Sequence, residues 1–229
     1  MISVRMPNFT PSADGFPFCN SFPRGTPVVD VRTPFGRVRL GDAVGGLCGG
    51  MVFGAMDFHG TDTPTIPGSP DPEVVRFLAR RLLDSWNLPF GVLKYYDWQR
   101  RPCATKWIAG VRAVRGLTHL TALREWPRIR AELDAGRFAP LGVILARGFG
   151  FKGLPRNHQV LAYGYDLDAV AAAVTLHIYD PNYPGEDEML KFHLRDPDAG
   201  RMIVHSCEGA AVRGLFLTPY RSPAFLPTF

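Results

Sequence analysis

Cysteine is scarce in this chain: four in 229 residues, at positions 19, 48, 103 and 207, with no CxxC pair among them. That excludes a small disulfide scaffold and offers no zinc-ligand spacing. The six histidines show no paired metal-ligand spacing either, so no metal and no other cofactor is expected. No uninterrupted apolar run reaches the roughly 20 residues that a membrane-crossing helix needs. The start, MISVRMPNFTPSADGF, lacks the apolar core of a signal peptide. The expectation is a protein without a membrane span, cytoplasmic by default, with leaderless export leaving no mark on composition. No internal repeat is visible.

Charge of neither sign dominates. Lys plus Arg number 26 against 21 Asp plus Glu, a formal net charge of +5, and much of the excess is arginine crowded between Arg76 and Arg130. No zinc-finger spacing, aromatic RNA-binding signature or sustained basic run accompanies it, so solvated helix faces account for the arginines better than a nucleic-acid partner does. A hydrophobic content of 46% with 21% charged residues fits a globular protein with a substantial core. The length suits one domain, 1–229, built as two lobes.

Glycine, by contrast, is concentrated around one cysteine. In GDAVGGLCGGMVFGAMDFH, Gly41 to His59, two glycines precede Leu47-Cys48 and two follow, and Met51, Val52, Ala55, Met56 and Phe58 then recur at helical spacing. Cys48 therefore falls where a glycine-rich turn enters an apolar helix. Unpaired N–H groups and the positive end of the dipole favour a thiolate at such a position. Asp57 and His59 read as polar-face residues of this helix. The competing reading of Cys48 is a small buried residue at a tight contact, as most free cysteines are.

Ahead of this stretch, residues 1–40 are broken by Pro7, Pro11, Pro17, Pro23, Pro27 and Pro34 and read as an extended arm with short pieces such as Pro27 to Arg32. Phe9, Phe16, Phe18, Phe22 and Phe35 would anchor it. Residues 41–140 read as mainly helical. After a loop from Thr61 to Pro72, Asp71 is a helix N-cap with Pro72 at the first helical position, and that helix ends near Asn87-Leu88-Pro89. Gly91 to Gly116 is ambiguous. Glu125 to Ala135 is a further helix stopped by Gly136.

Residues 141–229 read as mainly sheet, with strands at Leu141–Ala146, His158–Tyr165, Val174–Tyr179, Glu188–Leu194 and Val212–Thr218. A helical part joined to an antiparallel part is an α+β plan with a crevice between the two. His158 opens a strand directly after the glycine-rich, basic loop 150–156. Asp180 stands at the lip of another strand, and the period of two along Val174, Leu176 and Ile178 places its carboxylate on the apolar face. A buried carboxylate wants a partner, and an imidazole N–H is a natural one. Taken separately, His158 is a strand-end histidine and Asp180 a turn residue before proline. Taken with Cys48, they supply a nucleophile, a general base and an orienter.

The order GLCGGM, HQVLAYGYD, LHIYDPNYPG resembles the papain-like cysteine peptidase superfamily, in particular its bacterial branch of bacteriocin-leader-processing peptidases. The resemblance spans about Gly41 to Asn182. It implies a helical lobe and an antiparallel β lobe with the site between them, and a Cys48–His158–Asp180 triad acting on an amide bond of a peptide or protein substrate. Asn182 is an alternative orienter. The family usually carries a glutamine six residues before the cysteine, where it serves the oxyanion; here that position is Asp42. Three activities fit these residues: thiol hydrolysis of peptides, transglutaminase- or deamidase-type acyl transfer, and non-catalytic binding of a peptide, ligand or protein.

Overall fold

The computed structural model describes all residues except 27, 34, 35, 41, 62–65, 149, 150, 208–210, 224 and 228, and leaves aside the side chains of 29–33, 36–40, 112, 113, 151 and 152. In chain order the elements are β1 (Ile2–Arg5), α1 (Pro11–Asp14), β2 (Val29–Thr33), β3 (Gly36–Leu40), α2 (Cys48–His59), α3 (Pro72–Ser85), α4 (Phe90–Arg100), β4 (Lys106–Ile108), β5 (Val111–Val114), α5 (Leu117–Leu120), α6 (Trp126–Asp134), β6 (Ala139–Ile144), β7 (His158–Asp168), β8 (Ala173–Tyr179), β9 (Glu188–His193), β10 (Ile203–His205), β11 (Ala211–Val212) and β12 (Gly214–Leu217). A π-helical turn over Thr121–Glu125 joins α5 to α6. This is an α+β architecture.

The main sheet runs β11-β10-β9-β8-β7-β6-β12, with β1 also on β7. Every pairing is antiparallel. The long strand β7 is shared along one edge: β6 pairs with residues 158–162 and β1 with 164–167. Alternation along β7 sends Val160 and Ala162 to one face and Leu161 and Tyr163 to the other. The first face packs on Trp126, Ile129 and Leu133 of α6; the second packs on Val52, Phe53 and Met56 of α2.

Helix α2 lies at the centre of the molecule, between that second face and α3, and residues 49–58 are buried all round. Three of its residues are glycines, each about 1 kcal/mol poorer than alanine in a helix. Burial of Met51, Val52, Phe53 and Phe58 at about 1.5–3 kcal/mol each outweighs that cost. Gly50 has a positive reason to be there, since a Cβ on it would collide with the carbonyl of Leu78, where α3 crosses α2 at backbone distance.

Several expectations are met and others are revised. Pro72 is indeed the first residue of α3 after Asp71, although the Asp71 side chain makes no cap and instead accepts from Ser69 Oγ at 2.9 Å. Gly136 follows α6 at φ 69°, the left-handed conformation that ends a helix. The first 40 residues do more than lie on the surface, because β1 enters the main sheet and β2 and β3 form a hairpin. Phe9, Phe16 and Phe22 are buried, while Phe35 is outside the described residues, as are Pro27, Gly41 and positions 62–65 of the Thr61 to Pro72 loop. Asp57 is not a polar-face residue: it is buried beneath Arg81, whose Nε and Nη2 donate to its two oxygens at 2.7 and 2.9 Å, and Tyr220 Oη donates to it at 2.6 Å. The strand foreseen at 212–218 is interrupted at Arg213, whose buried guanidinium turns inward to the carbonyls of Gln99, Ala146 and Arg101.

Candidate active site

Cys48 is the first residue of α2. The N-cap is Leu47, whose apolar side chain offers no oxygen to the first-turn amides, so the helix start is left uncapped by its own N-cap. Gly46 before it has φ 85°, which permits the sharp entry. The Cys48 side chain is half-buried, reachable from outside yet seated against the core.

His158 opens β7 opposite Val143 of β6. Its Nε2 lies 2.7 Å from Asp180 Oδ1, and Asp180 itself, just beyond the end of β8, is 2% exposed. With Nε2 occupied, Nδ1 is the ring nitrogen left for Cys48, which is near enough for its charge to act on the ring. Burial disfavours the charged imidazole, but the Asp180 carboxylate and Cys48 outweigh it and raise His158 well above its ordinary value. Asp180 shows the converse balance. Burial pushes it up, yet His158, a hydrogen bond from His205 and the Asn182 amide together hold it well below the usual carboxylate range. Tyr95 Oη donates to the His158 carbonyl at 3.3 Å; burial raises its phenol well above the ordinary value, and the nearby Cys48 adds to that.

The remaining sequence candidates are not in the orienting position. Asn182 donates its backbone N–H to Asp180 Oδ1 at 2.8 Å, and its side chain points to Asn20. Asp42 is exposed and caps the 3-10 turn at Ala43–Gly45: Oδ1 accepts from Val44 N–H at 3.0 Å and Oδ2 from Gly25 N–H at 3.2 Å.

Two residues that the sequence reading did not single out stand in the site. His205, on β10, places Nε2 3.1 Å from Asp180 Oδ2, and its Nδ1 accepts the Cys207 N–H at 3.2 Å, which fixes the proton on Nε2. Asn20, from the N-terminal segment, accepts the Leu47 N–H on Oδ1 at 2.5 Å and donates from Nδ2 to Asn182 Oδ1 at 3.1 Å. No spacing signals either residue. The β10 strand is three residues long, and Asn20 sits in a proline-broken stretch.

Gln159, next to His158 on the opposite face, lies under Gly49 and donates to Ser85 Oγ at 3.2 Å. Among the described residues no group of three or more His, Cys, Asp and Glu side chains is placed to hold a metal ion. No helix among them is long and apolar enough to cross a membrane. Comparison of the chain with family models, curated proteins and solved structures found no match.

Proposed function

We propose that the protein is a papain-like thiol hydrolase acting on amide bonds of peptides or proteins, with Cys48 as nucleophile, His158 as general base and acid, and Asp180 as orienter. One observation supports the reading: the His158 ring is held at 2.7 Å on one nitrogen by a buried carboxylate, near a cysteine, at the start of a buried helix, that helps raise the ring's basicity. The Cys48 thiolate attacks the acyl carbon, a C–S bond forms, and the carbonyl electron pair moves onto oxygen. As the carbonyl re-forms, the C–N bond breaks and the leaving nitrogen takes the proton from His158. Water then attacks the thioester, gives its proton to His158, and the sulfur departs as thiolate with release of the carboxylic acid.

The test is a broad peptide library assayed by mass spectrometry with the wild type and Cys48→Ala. Cleavage that disappears in the variant is expected. A second arm adds hydroxylamine, and Cys48-dependent hydroxamate without peptide hydrolysis would replace the hydrolase by an acyl transferase. Asp42 at the position of the family's glutamine favours the rival reading of a binding module. That reading wins if neither product forms and a peptide is retained equally by wild type and Cys48→Ala.

A further inference from the structure

We propose that the side-chain amide of Asn20 is the second oxyanion donor of this site, acting beside the Cys48 N–H; this rests on the hydrolase reading above. An anionic tetrahedral intermediate on Cys48 needs hydrogen-bond donors aimed at its oxygen. The Cys48 backbone N–H, at a helix start that its N-cap leaves uncapped, is one. Asp42 is not another, since both its carboxyl oxygens already accept hydrogen bonds, from the Val44 and Gly25 N–H groups.

Asn20 brings a side-chain amide with a spare donor to the residues that lead into Cys48. Its carboxamide lies against Gly46 and Leu47, the two residues leading into Cys48: a Cβ on Gly46 would collide with it, so the bare backbone there is what admits the amide. Its orientation is fixed by its partners. The Leu47 N–H can only face the amide oxygen, which leaves Nδ2 towards Asn182 Oδ1. Valence then leaves one donor over. Nδ2 carries two hydrogens and makes one hydrogen bond among the described residues. The segment is also held against the residues after Asp180, because Asn20 N–H donates to the Pro181 carbonyl at 2.9 Å and Cys19 Sγ lies 3.4 Å from the Asn182 carbonyl. The amide thus spans the entry to α2 and the end of β8, the two elements that carry nucleophile and orienter. An oxyanion donor supplied from there removes the need for a glutamine at position 42.

Two probes of Cys48 separate this role from a structural one. p-Nitrophenyl acetate acylates the thiolate: a C–S bond forms, an oxyanion develops on the acetyl oxygen, and the C–O bond breaks to release p-nitrophenolate. Iodoacetamide alkylates the same sulfur with loss of iodide and develops no oxyanion. Asn20→Ala and Asn20→Asp, the latter keeping an oxygen for the Leu47 N–H but losing the donor, are expected to slow acylation on the order of 100-fold, while alkylation of Cys48 keeps its wild-type rate. Wild-type acylation in both variants, or acylation and alkylation falling together, overturns the proposal and leaves the hydrolase reading standing. A wild-type Cys48 that neither acylates nor alkylates ahead of Cys19, Cys103 and Cys207 overturns both. Circular dichroism of each variant identifies one that has failed to fold, and the remaining variant then decides.

Discussion

One buried carboxylate holds two imidazoles: Asp180 Oδ1 is 2.7 Å from His158 Nε2 and Oδ2 is 3.1 Å from His205 Nε2. Asp180→Asn removes the charge with little change of shape. Because that charge helps raise His158 above 6.5, the ring should release its proton at lower pH in the variant, as read by nitrogen-15 NMR of the imidazoles. An unchanged His158 titration would mean that the carboxylate does not govern the ring.

The same pair sets a pH window for stability. Asp180 is depressed below 3.8, so its contribution is present above that value and is lost as pH falls through the folded-state value. His158 is raised above 6.5, so its contribution is complete below 6.5 and is lost as pH rises through the folded-state value. The difference in urea unfolding free energy between wild type and Asp180→Asn should therefore be widest between 3.8 and 6.5, at about 1.5–3 kcal/mol. It should shrink on both sides, and a pH-independent difference would contradict the pairing.

Thiol labelling tests His158 against exposure. Cys19 and Cys207 are exposed and Cys48 is half-buried, so access alone ranks Cys48 behind them. Desolvation and the neighbouring Glu188 carboxylate push the Cys207 thiol up, which slows it further. If the imidazole holds the Cys48 proton, iodoacetamide at neutral pH should modify Cys48 first, and His158→Ala should cancel that lead. Peptide mapping after short exposure gives the order.

Helix α2 is held to α3 by a buried ion pair as well as by apolar contact. Arg81→Ala leaves Asp57 buried beside Tyr220 without its cation and should cost about 3–5 kcal/mol. Arg81→Met, which keeps volume, still abandons the carboxylate; the double variant Arg81→Met with Asp57→Leu should recover much of the loss. Urea midpoints of the three proteins check this, and a harmless Arg81→Ala would refute it.

Gly50→Ala probes the helix crossing directly. The added methyl meets the Leu78 carbonyl, which belongs to the α3 backbone and cannot rotate away, so the helices must separate at about 1–3 kcal/mol. Thermal unfolding should show a lowered midpoint, with Cys48 alkylation altered because the nucleophile sits two residues away.

Much of this molecule follows from local pattern. The glycine-flanked start of α2 at Cys48, Pro72 at the head of α3, Gly136 after α6 and the alternate burial of Val174, Leu176 and Ile178 along β8 all rest on helical or two-residue periodicity and on turn chemistry. Such features depend on neighbours within a few residues, and the sequence shows those neighbours directly. It also presents Cys48, His158 and Asp180 as separate candidates, each with an ordinary structural explanation.

Tertiary structure alone decided how these parts meet. Asn20 reaches Leu47 across 27 residues and Asn182 across 162, His205 reaches Asp180 across 25, and Arg81 reaches Asp57 across 24. None of these pairs has a periodicity to announce it. The reason is that a buried polar group must find a partner from whatever chain segment packing brings alongside. Strand order and helix crossing choose that segment, and they do so through the burial of apolar faces that are far apart in sequence.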